Sequence, residues 1–137
     1  MFRSAGHAFV SPEERVRLRH VIEQVERETG AEIAALIVAH VDDIEGFAKT
    51  YFDHVGIGKH GHDNGVLIML AVKRRAIRIE VGRGLAVAVP PDAAQRIITG
   101  VIAPQCRLGR YGEGLLRGVE AVGHLVRAAH AGRHGAT

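Results

Sequence analysis

The sequence predicts an α/β fold: a three-layer α/β/α sandwich with a small mixed central sheet flanked by about four helices. Three observations carry this prediction. Residues 33–39 and 66–72 are apolar without polar alternation and have the length of strands, the pattern of strands buried on both faces. Four stretches are patterned as helices, enough to cover both sides of such a sheet. The chain has 137 residues with 47% hydrophobic and 24% charged side chains, which suits a single domain with a sizeable core.

The elements follow in order. Ser11-Pro12-Glu13-Glu14 places a capping Ser before Pro at the first helical position and a Glu three residues after the cap, so a helix starts there. Leu18, Val21, Ile22 and Val25 recur at helical spacing, and Gly30 closes the helix. The first strand occupies 33–39. Ile44, Phe47, Ala48, Tyr51, Phe52 and Val55 then mark one face of a second helix. Residues 56–65 hold four glycines and read as a loop. The strand 66–72, the charged turn Lys73-Arg74-Arg75 and the strand 76–81 form an antiparallel hairpin, with Ile77, Ile79 and Val81 on one face and Arg78 and Glu80 on the other. Pro90-Pro91-Asp92 opens a third helix that buries Ile97, Ile98, Val101 and Ile102 and stops at Pro104. A turn at 109–112 leads to the last helix, carrying Leu115, Val119, Val122, Val126 and Ala129 on one face. One domain is expected over 1–137, with a core of about 11–128 and a loose tail at 132–137.

Composition narrows the function. Only 4% of residues are aromatic and none is Trp, which argues against base-stacking platforms. The net charge is +3 with the basic residues dispersed, so no nucleic-acid footprint stands out. A single cysteine, Cys106, excludes an internal disulfide and reads as a small apolar filler. The first eleven residues lack the apolar core of a signal peptide, and no apolar run reaches membrane-spanning length. The expectation is a soluble, cytoplasmic protein without membrane insertion and without nucleic acid.

The residues that offer chemistry gather around the loops. Asp63 precedes a buried strand in a glycine-rich loop, where a carboxylate and loop carbonyls suit a hard cation such as Ca²⁺ or Mg²⁺. An Asp bonding its own backbone in a turn is the alternative. Asp92 stands in the first turn of a helix, where the helix dipole alone accounts for it. Glu32 opens the first strand and points either to the same end of the sheet as Asp63 or into water. Glu80 pairs with Arg78 or contributes to the same acidic set. His60 and His62, with His54 nearby, are an alternative ligand set for a transition metal, Zn²⁺ being less favoured, or else ordinary members of a solvated loop in a chain with nine His. The backbone of Gly65, Gly82 and Gly84 permits close approach, and Arg83 between two glycines is a bidentate donor for an anion. No P-loop, dinucleotide fingerprint or nucleophile elbow is present, and no catalytic constellation is legible, so the catalytic residues are unknown.

Gly56-Ile57-Gly58-Lys59, then Asp63-Asn64-Gly65-Val66-Leu67, then Arg78-Ile79-Glu80-Val81-Gly82-Arg83-Gly84-Leu85 resemble the signature of TPM domains. Thr29-Gly30-Ala31-Glu32-Ile33 resembles the family's first strand. The stretch from Arg96-Ile97-Ile98 through Pro104 to Gly109-Arg110-Tyr111-Gly112-Glu113-Gly114-Leu115 resembles its closing pattern. The resemblance covers about residues 11–128. It implies a compact α/β/α fold with a divalent-metal site at one end, and a role as a metal binder, an acid phosphatase or an accessory factor for membrane complexes. Two departures stand out. The family's usual Gly-Leu-Glu reads Gly84-Leu85-Ala86 here, and His60 and His62 replace more usual Lys. The leading expectation is a divalent-cation-binding module, with Asp63, Asp92 and Glu32 as oxygen ligands, that also engages a protein partner. The alternatives are a weak metal-dependent acid phosphatase with Arg83 steering the phosphate, and a structural interaction domain with a degenerate site.

Overall fold

The computed structural model describes residues 2–4, 9–58 and 63–134. Four strands, β1 (Phe2–Ser4), β2 (Glu32–Val38), β3 (Gly65–Ala71) and β4 (Ala76–Val81), lie side by side in that order. β1 runs parallel to β2 and β2 parallel to β3, whereas β3 and β4 are antiparallel, so the sheet is mixed. The helices are α1 (Pro12–Thr29), α2 (Ile44–Val55), α3 (Pro91–Ile97), α4 (Ala103–Arg107) and α5 (Tyr111–His134). A 3₁₀ turn spans Arg83–Leu85, and a π-helical turn, Ile98–Ile102, joins α3 to α4.

Local chemistry accounts for the boundaries. The Glu14 N–H donates to Ser11 Oγ at 3.1 Å, and the Ser11 N–H donates to Glu14 Oε1 at 2.9 Å, a complete capping box. Gly30 ends α1 at a φ of +81°, which an L side chain rarely adopts. Asp43 caps α2 by accepting from the Gly46 N–H.

Alternation along the strands divides the interior into two cores. Ile33, Ala35 and Ile37 of β2, Val66, Ile68 and Leu70 of β3 and Ile79 of β4 face α1, α5 and the α3–π–α4 run. Ala34 and Leu36 of β2 and Leu67 and Met69 of β3 face α2, packing on Ala48 and on Ile57 just beyond it. Every residue of β3 is buried, so this strand is the centre of the molecule. On the α2 side of β4 stand Arg78 and Glu80, joined by hydrogen bonds of 3.2–3.3 Å, with Arg78 also 3.5 Å from Glu45 of α2. The three layers expected from the apolar strands are therefore present.

Three local expectations are corrected. Pro104 does not stop the third helix: the helical path continues through it to Arg107. The Ala103 N–H bonds the Ile98 carbonyl five residues back, and this wider turn accommodates a residue that has no N–H to give. The final helix runs through Gly132 to His134, so the segment read as a loose tail is helical in its first half. β1 was not expected: a three-residue strand is too short for a periodicity signal.

Candidate functional site

Most of the candidate residues lie where β2 and β3 begin and β4 ends, since Glu32 is in register with Gly65 and Val66 with Val81. This is the amino end of the parallel pair, the end opposite to the crevice that doubly wound sheets use.

Here the backbones are stitched together at glycines. A Cβ on Gly65 would stand 2.7 Å from the Gly58 nitrogen and from the Ile57 carbonyl, and a Cβ on Gly82 would collide with the Asp63 carbonyl. The contact is closed by hydrogen bonds. The Gly82 N–H donates to the Gly65 carbonyl at 2.8 Å and the Gly84 N–H to the Asp63 carbonyl at 3.1 Å. The Glu32 N–H donates to the Asn64 carbonyl at 2.9 Å, while Asn64 Nδ2 reaches the Gly30 carbonyl at 2.7 Å. Within this frame Asp63 takes a φ of +50°, a left-handed conformation that Asp tolerates better than most residues. Its main chain is thus held by the β4–3₁₀ junction while its side chain stays more than half exposed.

Asp63 opens on a cleft of about 590 Å³ lined by Lys49, Phe52 and Asp53 of α2, by Glu80 and Val81 of β4, and by Gly82 and Arg83. The Arg83 guanidinium stands 3.7 Å from Asp63 Oδ2, an ion pair without hydrogen-bond contact. Arg83 is 94% exposed, so the pair is screened and readily opened. The cleft therefore presents three carboxylates and two cations on walls fixed by the sheet and by α2.

The structure distributes the expected residues unevenly. Asp63, Gly82 and Arg83 line the cleft, with Gly65 and Gly84 in its frame. Glu32 lies at the same end but turns toward the loop, its Oε1 accepting from the Gly58 N–H at a long 3.4 Å. Asp92 does not line the cleft. It lies in the first turn of α3, and its 3.0 Å hydrogen bond from Arg96 holds its carboxyl below the ordinary range. His60 and His62 lie outside the described residues. Among the described residues no three His, Cys, Asp or Glu side chains converge as a metal-binding group. Cys106 is buried in α4, and burial pushes its thiol up, as befits a core filler.

Lys49 and Asp53 escaped the sequence reading, which followed only the apolar stripe of α2. The signal was available: both stand at helical i, i+4 spacing on the polar side of the helix that runs into the glycine loop.

A sheet covered by helices on both faces, with a glycine-framed cleft at one end, defines the structural class, and comparison with known proteins gives the family. The model of the TPM domain matches residues 5–125, and the chain belongs to this family. Three solved bacterial structures share the fold. The N-terminal domain of a protein from P. gingivalis is 24% identical with a TM-score of 0.85, covering 94% of this chain and 83% of that one. The BA42 protein of the psychrophile Bizionia argentinensis is 24% identical with a TM-score of 0.77, covering 89% and 84%. The N-terminal domain of the cg2496 protein of Corynebacterium glutamicum is 16% identical with a TM-score of 0.71, covering 90% and 77%. None of the curated proteins compared matches the chain. No helix among the described residues is long and apolar enough to cross a membrane.

Proposed function

We propose that the chain is a binding module of the TPM type that takes a divalent cation at the loop-end cleft and uses that end to engage a protein partner. The observation that carries this reading is Asp63: its backbone is held in a left-handed conformation by Gly82 and Gly84, and its carboxylate, engaged by nothing but the long Arg83 ion pair among the described residues, lines a cleft shared with Asp53 and Glu80. The donors are all oxygen, which suits a hard cation such as Ca²⁺ or Mg²⁺ better than Zn²⁺. Only Asp63 and Asp53 are carboxylates without a hydrogen-bonded arginine, because Glu80 is held by Arg78. So sparse a set matches a weak site, with a dissociation constant on the order of 10⁻⁴–10⁻³ M. The test is a titration of chelator-treated protein with Ca²⁺ and Mg²⁺, followed by backbone amide NMR. Saturable shifts at residues 63–65 and 82–84 that vanish in Asp63→Asn are expected. Absence of shifts at ten-millimolar ion would remove cation binding from the proposal.

One contact favours a second reading. The Arg83–Asp63 pair sets an anion-binding guanidinium beside a carboxylate in an open cleft, as a weak metal-dependent acid phosphatase would need. Hydrolysis of an aryl phosphate that is abolished both by chelator and by Asp63→Asn would support it; activity unchanged in that variant would assign the turnover to a contaminant.

A further inference from the structure

β4 is the last strand of the sheet, and among the described residues no fifth strand pairs with its outer edge. Which of its backbone groups face outward follows from the pairing. The Gly82 N–H bonds the Gly65 carbonyl, so 82 and 65 form a hydrogen-bonded pair in the antiparallel ladder. Hydrogen-bonded and non-hydrogen-bonded pairs alternate. Glu80, Arg78 and Ala76 therefore turn their N–H and C=O groups to β3, and Val81, Ile79 and Ile77 turn theirs away from the sheet. The hairpin turn agrees with this parity: a four-residue loop, 72–75, closed by the Arg75 N–H on the Val72 carbonyl with Arg75 at a φ of +51°, leaves Ala71 and Ala76 as the closing hydrogen-bonded pair. No described residue takes the outward groups of Ile77, Ile79 or Val81.

Beside this edge lies a groove of about 340 Å³ that shares Glu80 and Val81 with the loop-end cleft but is otherwise lined from the α3 side. One wall is β4 from Arg78 to Val81; the other is made by Ala94, Gln95 and Ile98 of α3 and the π turn, with Ala86 and Val89 beneath. An edge flanked in this way accepts one extended chain between strand and helix, whereas a second copy of the sheet would bring its own flanking helices. Ala86, Val89, Ala94 and Ile98 give the groove an apolar side, while Arg78, Glu80 and Gln95 give it a polar one. At the end where β4 begins stand Lys73, Arg74 and Arg75, all exposed, and none forms an ion pair with a described residue. Unpaired edge strands are ordinarily blunted by charge or covered; here Arg78 and Glu80 hydrogen-bond each other on the α2 face of the strand, and no described residue pairs with the outward backbone groups of Ile77, Ile79 and Val81.

We propose that this edge is a docking site for an extended segment of a partner protein, which adds to the sheet as a fifth strand beside β4. The three outward residues offer three donors and three acceptors to its main chain. Its alternate side chains are apolar where they meet Ala94 and Ile98, and its flank is acidic where it meets Lys73, Arg74 and Arg75.

A random decapeptide library displayed on phage tests this, with the full chain as bait and selected peptides made synthetically. Enriched peptides should alternate apolar residues and carry acids at one end, and their binding should slow hydrogen exchange at Ile77, Ile79 and Val81. N-methylation of the peptide amides facing β4 should weaken binding at least tenfold. The exposed pair Lys73→Glu with Arg74→Glu should weaken it severalfold while the thermal unfolding temperature stays put. Three outcomes would overturn the proposal: no peptide enriched over the unselected library, enriched peptides that leave those three amides unprotected, or protection that grows with protein concentration alone, which would make the edge a self-pairing surface.

Discussion

Gly82 holds the loop-end site together through what it lacks. Its φ of −68° is open to any residue, so conformation does not demand glycine there. The demand is spatial: a Cβ would collide with the Asp63 carbonyl and come within 3.2 Å of the Gly65 carbonyl, both backbone atoms that cannot swing aside. Gly82→Ala should therefore lower stability by about 1–3 kcal/mol in urea unfolding, the usual cost of overpacking, and should shift the amide resonances of Asp63 and Gly84. An unchanged midpoint would show the junction to be looser than described. Glu28 offers a second test at this scale. Its carboxylate accepts from Arg127 Nε at 2.7 Å, tying the end of α1 to α5, and this bond holds its pKa below the ordinary 4.5. A depressed folded-state pKa means a contribution present above pH 4.5 and lost as pH falls through the lower folded value. Glu28→Gln should thus melt slightly below the parent at pH 7, with the gap closing in acid and, because both side chains are well exposed, in salt. A gap that persists at pH 3 would point to packing instead of charge.

Among the elements, the α3–π–α4 run shows what a sequence reading resolves and what it misses. Capping at Ser11, the stop at Gly30, the stripe of α2 and the alternation Ile77, Ile79 and Val81 are written in residues within a few positions of one another, and each element lies where the residues place it. Pro104 carries an equally local rule that fails, because the rule assumes an α-helical register. In that register the ring meets the carbonyl four residues back and a hydrogen bond is lost, at about 3 kcal/mol. The π turn before it changes the register, and no residue type in 98–102 announces a π turn. Pro104→Ala should accordingly shift unfolding by less than about 1 kcal/mol, the part that comes from a freer unfolded chain. A gain near 3 kcal/mol would mean that the proline strains the helix after all. The site divides the same way. Asp63, Gly82 and Arg83 stand in two short motifs legible in the sequence and line one cleft; Lys49 and Asp53 join them there only because α2 crosses the end of β4. Asp92 looked equivalent to Asp63 in the sequence, yet its hydrogen-bonding partner is its own i+4 neighbour, Arg96.

At the scale of the molecule the two faces of the sheet are unequal, and the cleft lies on the thinner side. One face is covered by α1, α5 and the α3–π–α4 run around a core of some two dozen buried residues, including Leu18, Ile22, Leu115 and Val119. Among the described residues the other is covered by one helix, α2, with Ile57 just beyond it; the one buried residue of α2 is Ala48, while Phe47 and Val55 on the same helix remain 44% and 45% exposed. Less apolar area leaves water when α2 docks, so less free energy opposes its detachment. Since α2 supplies Lys49, Phe52 and Asp53 to the cleft, this wall of the cleft is the part of the sheet's cover with the least apolar burial holding it down. Native-state hydrogen exchange should show α2 amides opening through a partial unfolding while those of β3 and α5 exchange only on global unfolding. The proposed cation, if it bridges Asp63 and Asp53, would tie α2 to the rigid loop end, so saturating Ca²⁺ or Mg²⁺ should raise the protection of α2 selectively. If α2 instead exchanges at the global rate, the helix is an integral wall; if it opens alone but ignores the ion, the cation contacts Asp63 without Asp53.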